Sequence, residues 1–184
     1  SIVLEPTFLH ASRQFLLSEA VALGLVDTLA EFGIGARIKW TNDIYVGDRK
    51  ICGVLIEHDL RGAHLARTIV GIGLNVNQVE FDPALPNPTS MSRLAGHEFD
   101  REEVLQTLAR KIMARYDELA EGASEQLQSD YHALIYRRDE AHTYRLPDGT
   151  LFECTIRRVE ADGTLIVEHS DGSERGYLFK QIEF

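Results

Sequence analysis

The segment from Ser12 to Phe32 limits the possible folds more than any other part of the chain. Its apolar residues (Phe15, Leu16, Ala20, Val21, Leu23, Leu25, Val26 and Leu29) fall on most sides of a helix rather than along one stripe. Such a helix must be buried, so other elements have to pack around it. Gly33 and Gly35 mark its end, as expected at a helix C-terminus. Ahead of it, Ile2–Leu4 is a short strand-like run closed by Pro6.

The pattern then changes to strands. Ala36–Trp40, Ile44–Val46, Ile51–Ile56 and Leu65–Val76 read as strands, with Thr41-Asn42-Asp43 as a polar break and Gly47-Asp48 as a hairpin turn. Residues 77–88, with Glu80, Asp82, Pro83 and Pro86, read as a long loop, and loops of that length often act as lids. Asp100 caps the next helix, with Glu103 three residues on. Val104, Leu105, Leu108, Ile112, Met113, Tyr116 and Leu119 follow at helical spacing and read as core. A further helix is expected over Ser124–Tyr136. After residue 140 three turn signals appear, Pro147-Asp148-Gly149, Asp162-Gly163 and Asp171-Gly172. Leu151–Val159, Leu165–Glu168 and Tyr177–Ile182 lie around them as short strands, which predicts a small antiparallel β module, a barrel. The expected architecture is α+β, divided into residues 1–138 and 139–184.

Composition narrows the partners. The net charge of −10 argues against a general basic surface for nucleic acid, because phosphate neutralisation needs clustered Lys and Arg. Any site for a polyanion in this chain must gather its few cations locally. Two cysteines, Cys52 and Cys154, are too few for a disulfide scaffold and lack the close partners of a zinc site, so both are expected as reduced core residues. No apolar run reaches the roughly 18 residues of a transmembrane helix, and no signal peptide is evident. The expectation is a cytoplasmic chain bound neither to membrane nor to nucleic acid.

Three stretches hold the residues with chemical potential: Lys39-Trp40-Thr41-Asn42-Asp43, then Lys50 through Glu57, then Gly71-Ile72-Gly73-Leu74-Asn75-Val76-Asn77. Lys50 opens a strand of alternating small and apolar residues. Its ammonium can meet an anion while its stem packs below, or it can be a solvated hairpin lysine. Gly53, Gly71 and Gly73 inside strands mark close approach of a ligand or another backbone. Asn42 and Asn75 match the donor and acceptor edge of adenine, and equally fit turn chemistry. Asp43 could orient a lysine or hold a phosphate-bound metal, or form an Asx-turn. A Walker-type phosphate loop is absent, and Gly71-Ile72-Gly73 is a poor dinucleotide fingerprint because no helix follows.

In order and spacing, Lys-Trp-Thr-Asn-Asp-Ile, Lys-Ile-Cys-Gly-Val-Leu-Ile-Glu and Gly-Ile-Gly-Leu-Asn-Val-Asn resemble the successive signatures of the biotin–protein ligases. The resemblance covers nearly the whole chain, from the buried helix to the β module. It implies a class II synthetase-like catalytic domain followed by an SH3-like barrel. It also implies that Lys50 is the catalytic lysine, contacting the biotin carboxylate and the α-phosphate of ATP. Gly53, Leu55, Gly71 and Gly73 would complete the biotin pocket. Lys39, Asn42, Asp43 and Asn75 would serve the nucleotide and its Mg2+, without a dedicated protein metal site. The loop 77–88 would close over the adenylate. The reaction implied is formation of biotinyl-5′-AMP and transfer of biotin to a lysine of a biotin carboxyl carrier protein. A homodimer through an exposed sheet edge is a further possibility. Two departures stand out. Thr41 replaces a frequent Pro, and the family's upstream Gly/Arg-rich loop has no counterpart here. The chain is therefore expected to lack the first part of the catalytic domain and to ligate biotin poorly alone. The rival readings are a lipoate–protein ligase and a non-catalytic biotin- or carrier-binding module.

Overall fold

In the computed structural model, which describes residues 1–184, helix α1 (Phe15–Glu31) is enclosed as its composition demands. Thirteen of its residues are buried, including Leu16, Leu17, Leu23, Leu25 and Leu29. Helices α3 (Arg101–Ala120) and α4 (Ser124–Ala133) cover one side of it. The approach of α1 to α3 is close because Gly24 has no side chain: a Cβ there would lie 2.7 Å from Ile112 Cα. Arg115 of α3 clamps the layer, pairing with Asp27 of α1 at 2.8 Å and Asp130 of α4 at 2.9 Å. Asp100 caps α3 as expected, its carboxylate accepting the backbone N–H groups of Glu102 and Glu103.

The other side of α1 lies on a five-stranded antiparallel sheet. Its strands are β1 (Ile2–Leu4), β2 (Arg37–Lys39), β3 (Asp43–Val46), β4 (Arg49–Arg61) and β5 (His64–Leu74), in the order β1-β5-β4-β3-β2. Its inward side chains, among them Ile38, Ile44, Ile51, Cys52, Val54 and Val70, join the core. Strand β4 outruns the apolar segment that signals it, because β5 pairs with it along its whole length from Cys52↔Leu74 to Arg61↔His64.

A second sheet, β6 (Ala141–Arg145), β7 (Leu151–Val159), β8 (Leu165–His169) and β9 (Glu174–Tyr177), is antiparallel and open, and fits the SH3-like barrel expected. Its core residues Tyr144, Cys154, Ile156, Val159, Leu165 and Val167 belong to the same apolar cluster as the first sheet. Trp40 Nε1 donates to Gly163 O at 3.0 Å across that junction.

Several expectations need correction. Helix α1 starts at Phe15, because Ala11–Arg13 forms a separate 3-10 turn. The last helix stops at Ala133 rather than Tyr136. Residues after it turn back onto β2, where Leu134 O accepts the N–H of Ile38 and Tyr136 N–H donates to Ile38 O. The final strand is Glu174–Tyr177 and not Tyr177–Ile182. The Asp171-Gly172 turn reverses the chain at once, with Asp171 accepting the N–H of Ser173, and Glu174 already faces Glu168. A short helix, α2 (Met91–Ala95), capped by Ser90 and Gly96, has no periodic signal at five residues.

Candidate active site

A β-bulge aims the candidate catalytic lysine. Ile44 pairs with Cys52 and Tyr45 pairs with Lys50, so Ile51 is an extra residue in β4. Ile51 and Cys52 both point inward and are fully buried. Lys50 and Gly53, three apart, would otherwise face opposite sides of the sheet. The bulge puts Lys50 on the outer face with Gly53 and Leu55. There Lys50 Nζ meets Asp43 Oδ1 at 2.6 Å.

The register then gathers the other candidates. Lys39↔Asp43, Asp43↔Gly53 and Gly53↔Gly73 form one row across four strands, and Leu55↔Gly71 forms the next but one along β4. This face is uncovered by the chain: Leu55 is 66% exposed and Ile69 38%. The glycines differ in cause. At Gly53 a Cβ would sit 3.2 Å from Lys50 Nζ and 3.5 Å from Asp43 Oδ1, so its absence makes room for the ion pair. At Gly71 and Gly73 the nearest atoms, Leu55 O and Gly53 O, would be 3.5 Å and 3.6 Å away, an ordinary contact. The fold itself does not need glycine there. Glycine at both positions leaves the outer face of the sheet flat there.

Lys39 is boxed by aromatics. Its Nζ donates to Tyr45 Oη at 3.2 Å and lies 5.0 Å from the ring centre of Phe184. Asn42 Nδ2 donates to Val54 O at 2.7 Å and Asn75 Nδ2 to Thr89 O at 3.0 Å, so both amides are held in place with their oxygens free of protein partners. Asn75 N–H also donates to Ile51 O, extending the ladder to the bulge.

Residues 77–88 hang from this end of the sheet. Asn77 clamps the start, donating to Phe99 O and accepting the N–H of Phe99. The return is tied to Lys50 itself, whose N–H donates to Asn87 O and whose O accepts the N–H of Thr89. Between these anchors Val79 and Leu85 are exposed. The anchors Asn77 and Asn87 carry no sequence signal beyond the common turn preference of Asn.

Cys52 is unsuited to covalent chemistry. It is buried within β4, and burial, with the Asp43 carboxylate adding, pushes its thiol up to about 12. The site therefore offers a cation–carboxylate pair at the head of a glycine-lined apolar floor, with a tethered loop at its edge.

This fold is that of the biotin protein ligases. The apo biotin protein ligase of Aquifex aeolicus superposes with a TM-score of 0.80 at 22% identity, covering 99% of this chain and 79% of that one. The Aquifex aeolicus enzyme in complex with biotin and ATP gives 0.74 at 23% identity, over 92% and 70%. In sequence, the bifunctional ligase/repressor BirA of Bacillus subtilis is 31% identical over 185 residues, 96% of this chain, and the chain spans 55% of that relative's length. The biotin–[acetyl-CoA-carboxylase] ligase of Paracoccus denitrificans is 36% identical over 100 residues, 50% of this chain and 42% of its own length. Residues 1–75 match the family described as "Biotin/lipoate A/B protein ligase family". That match spans β1 to β5 and α1, and the Paracoccus denitrificans relative is named as a biotin–[acetyl-CoA-carboxylase] ligase.

Proposed function

We propose that the chain is the catalytic part of a biotin–protein ligase, with residues 139–184 as a small module beside it. The observation that carries this reading is the outer sheet face, where Gly71 and Gly73 leave a flat floor that ends at the Lys50–Asp43 pair. An apolar molecule with a terminal carboxylate fits such a floor, its acid group toward Lys50.

In the first step a carboxylate oxygen of biotin attacks the α-phosphorus of ATP, and the bond to the β-phosphate oxygen breaks, releasing pyrophosphate. Lys50 offsets the charge that builds on the phosphoryl oxygens. Such preorganised charge is commonly the largest single contribution to catalysis. Lys39, Asn42 and Asn75 hold the nucleotide. No group of three or more His, Cys, Asp or Glu residues could hold a metal unaided. That suits Mg2+, which usually keeps several waters and takes one or two carboxylates plus substrate phosphates; Asp43 would supply the carboxylate. In the second step the amine of a carrier-protein lysine attacks the acyl carbon and AMP leaves. The loop 77–88, with Val79 and Leu85 free to pack inward, shields the mixed anhydride from water.

A partner has a docking edge. From Leu55 onward β4 has no neighbour on the β3 side, so its backbone groups can pair with a strand of the carrier or of a second copy. No helix is long and apolar enough to cross a membrane.

Thermal-shift titration with biotin and with lipoate tests the substrate. The reading expects stabilisation by biotin, rising further with ATP, and none by lipoate. Stabilisation by lipoate alone would replace it with the lipoate reading.

A further inference from the structure

Lys39 faces a carboxylate that it does not use. In the β2–β3 register it stands directly opposite Asp43, where side chains of opposite charge lie within reach of each other. Asp43 pairs instead with Lys50, at 2.6 Å, and Lys39 takes part in none of the ion pairs of the molecule. Its ammonium is turned along the sheet to the diagonal neighbour, Tyr45, donating to Oη at 3.2 Å.

The surroundings of Tyr45 fix that oxygen in place. Tyr45 lies on the outer face of the sheet with Asp43 and Lys50, yet it is only 5% exposed. The ring of Tyr136 covers it, with ring centres 5.2 Å apart, and Tyr136 is held in turn by the hydrogen bond that its hydroxyl donates to the Asp48 carboxylate. Arg37, directly opposite Tyr45, donates elsewhere, to Ala133 O at 2.8 Å. The phenol oxygen is left to Lys39 and to Asn87, whose Nδ2 donates to Asp48 O at 2.6 Å and comes within 3.5 Å of Tyr45 Oη. Asn87 O accepts the N–H of Lys50 at 2.9 Å, so the return of the 77–88 loop touches both lysines of the site. A lysine free to swing would pair with Asp43 and lose most of its field. A neutral hydroxyl holds an ammonium without cancelling its charge.

We propose that Tyr45 is a positioning residue: its hydroxyl holds the Lys39 ammonium off Asp43 and beside the return of the loop, so that Lys39 meets the nucleotide as an unneutralised cation. This role rests on the ligase reading only for the identity of the anion.

Tyr45→Phe removes one oxygen and leaves the ring packed on Tyr136, so the variant folds. The chain has only four lysines, Lys39, Lys50, Lys111 and Lys180, which makes side-chain NMR of their ammonium groups tractable. In Y45F, Lys39 should gain a contact with the Asp43 carboxylate that the native protein lacks, while Lys111, paired with Glu31, stays as it is. In calorimetry on the full-length polypeptide, Y45F should weaken ATP binding about tenfold, as expected for one hydrogen bond to a charged group, and leave biotin affinity native. In a K39Q background Y45F should cost nothing further, because the hydroxyl acts only through Lys39. An unchanged Lys39 signal in Y45F overturns the role. So does native ATP affinity in Y45F, or an equal loss with K39Q present, which marks Tyr45 as merely structural. A Lys39 that moves to Asp43 in Y45F, in a protein that binds neither ATP nor biotin, leaves the positioning standing and removes the ligase reading.

Discussion

Glu19 is a carboxylic acid in the wrong solvent. It sits on α1 with no exposed surface, and neither carboxyl oxygen has a hydrogen-bond partner. Burial raises its pKa from 4.5 to about 8. Tyr131 shares the region, its hydroxyl also unpartnered and pushed well up by burial and by the Glu19 charge. The folded state therefore keeps the proton over a pH range in which the unfolded chain gives it up. Stability from this group is fully present below pH 4.5 and drains away as pH rises toward 8. One pKa unit is about 1.4 kcal/mol, so between pH 5 and pH 8 the native chain should lose about 3 kcal/mol relative to Glu19→Gln, which cannot ionise. Urea denaturation followed by Trp40 fluorescence at both pH values measures this. Parallel pH profiles for the two proteins would show that Glu19 is not buried as an uncompensated acid.

Gly24→Ala should destabilise the chain by about 1–3 kcal/mol, because its Cβ would collide with the α3 backbone at Ile112, a loss readable as a lower urea midpoint. Gly71→Val should leave thermal stability near native, since its Cβ meets only ordinary contacts, while weakening biotin binding at least about tenfold in calorimetry, or about 1.4 kcal/mol. Asp100→Ala should cost about 1 kcal/mol through loss of the α3 cap, with no change in ligand affinity.

How far the sequence reached depended on whether a feature is local. Helix α1 is legible because nearly every residue in it is apolar, and α3 because its cap and stripe lie within one segment. Lys50, Asp43 and the glycines are legible as motifs, yet nothing in Lys50-Ile51-Cys52-Gly53 announces the bulge that turns Lys50 to the outer face. Two apolar residues in succession read the same whether they alternate or both point inward. Strand β9 is polar, with Glu174, Arg175 and Gly176, and exists through its pairing with β8 rather than through composition.

The most direct test concerns the ammonium of Lys50. Lys50→Gln in the full-length polypeptide, incubated with biotin and α-labelled Mg-ATP, should form no detectable biotinyl-adenylate while still folding, because the side chain is half exposed and its ion pair lies at the surface. Adenylate formation at the native rate would contradict the account.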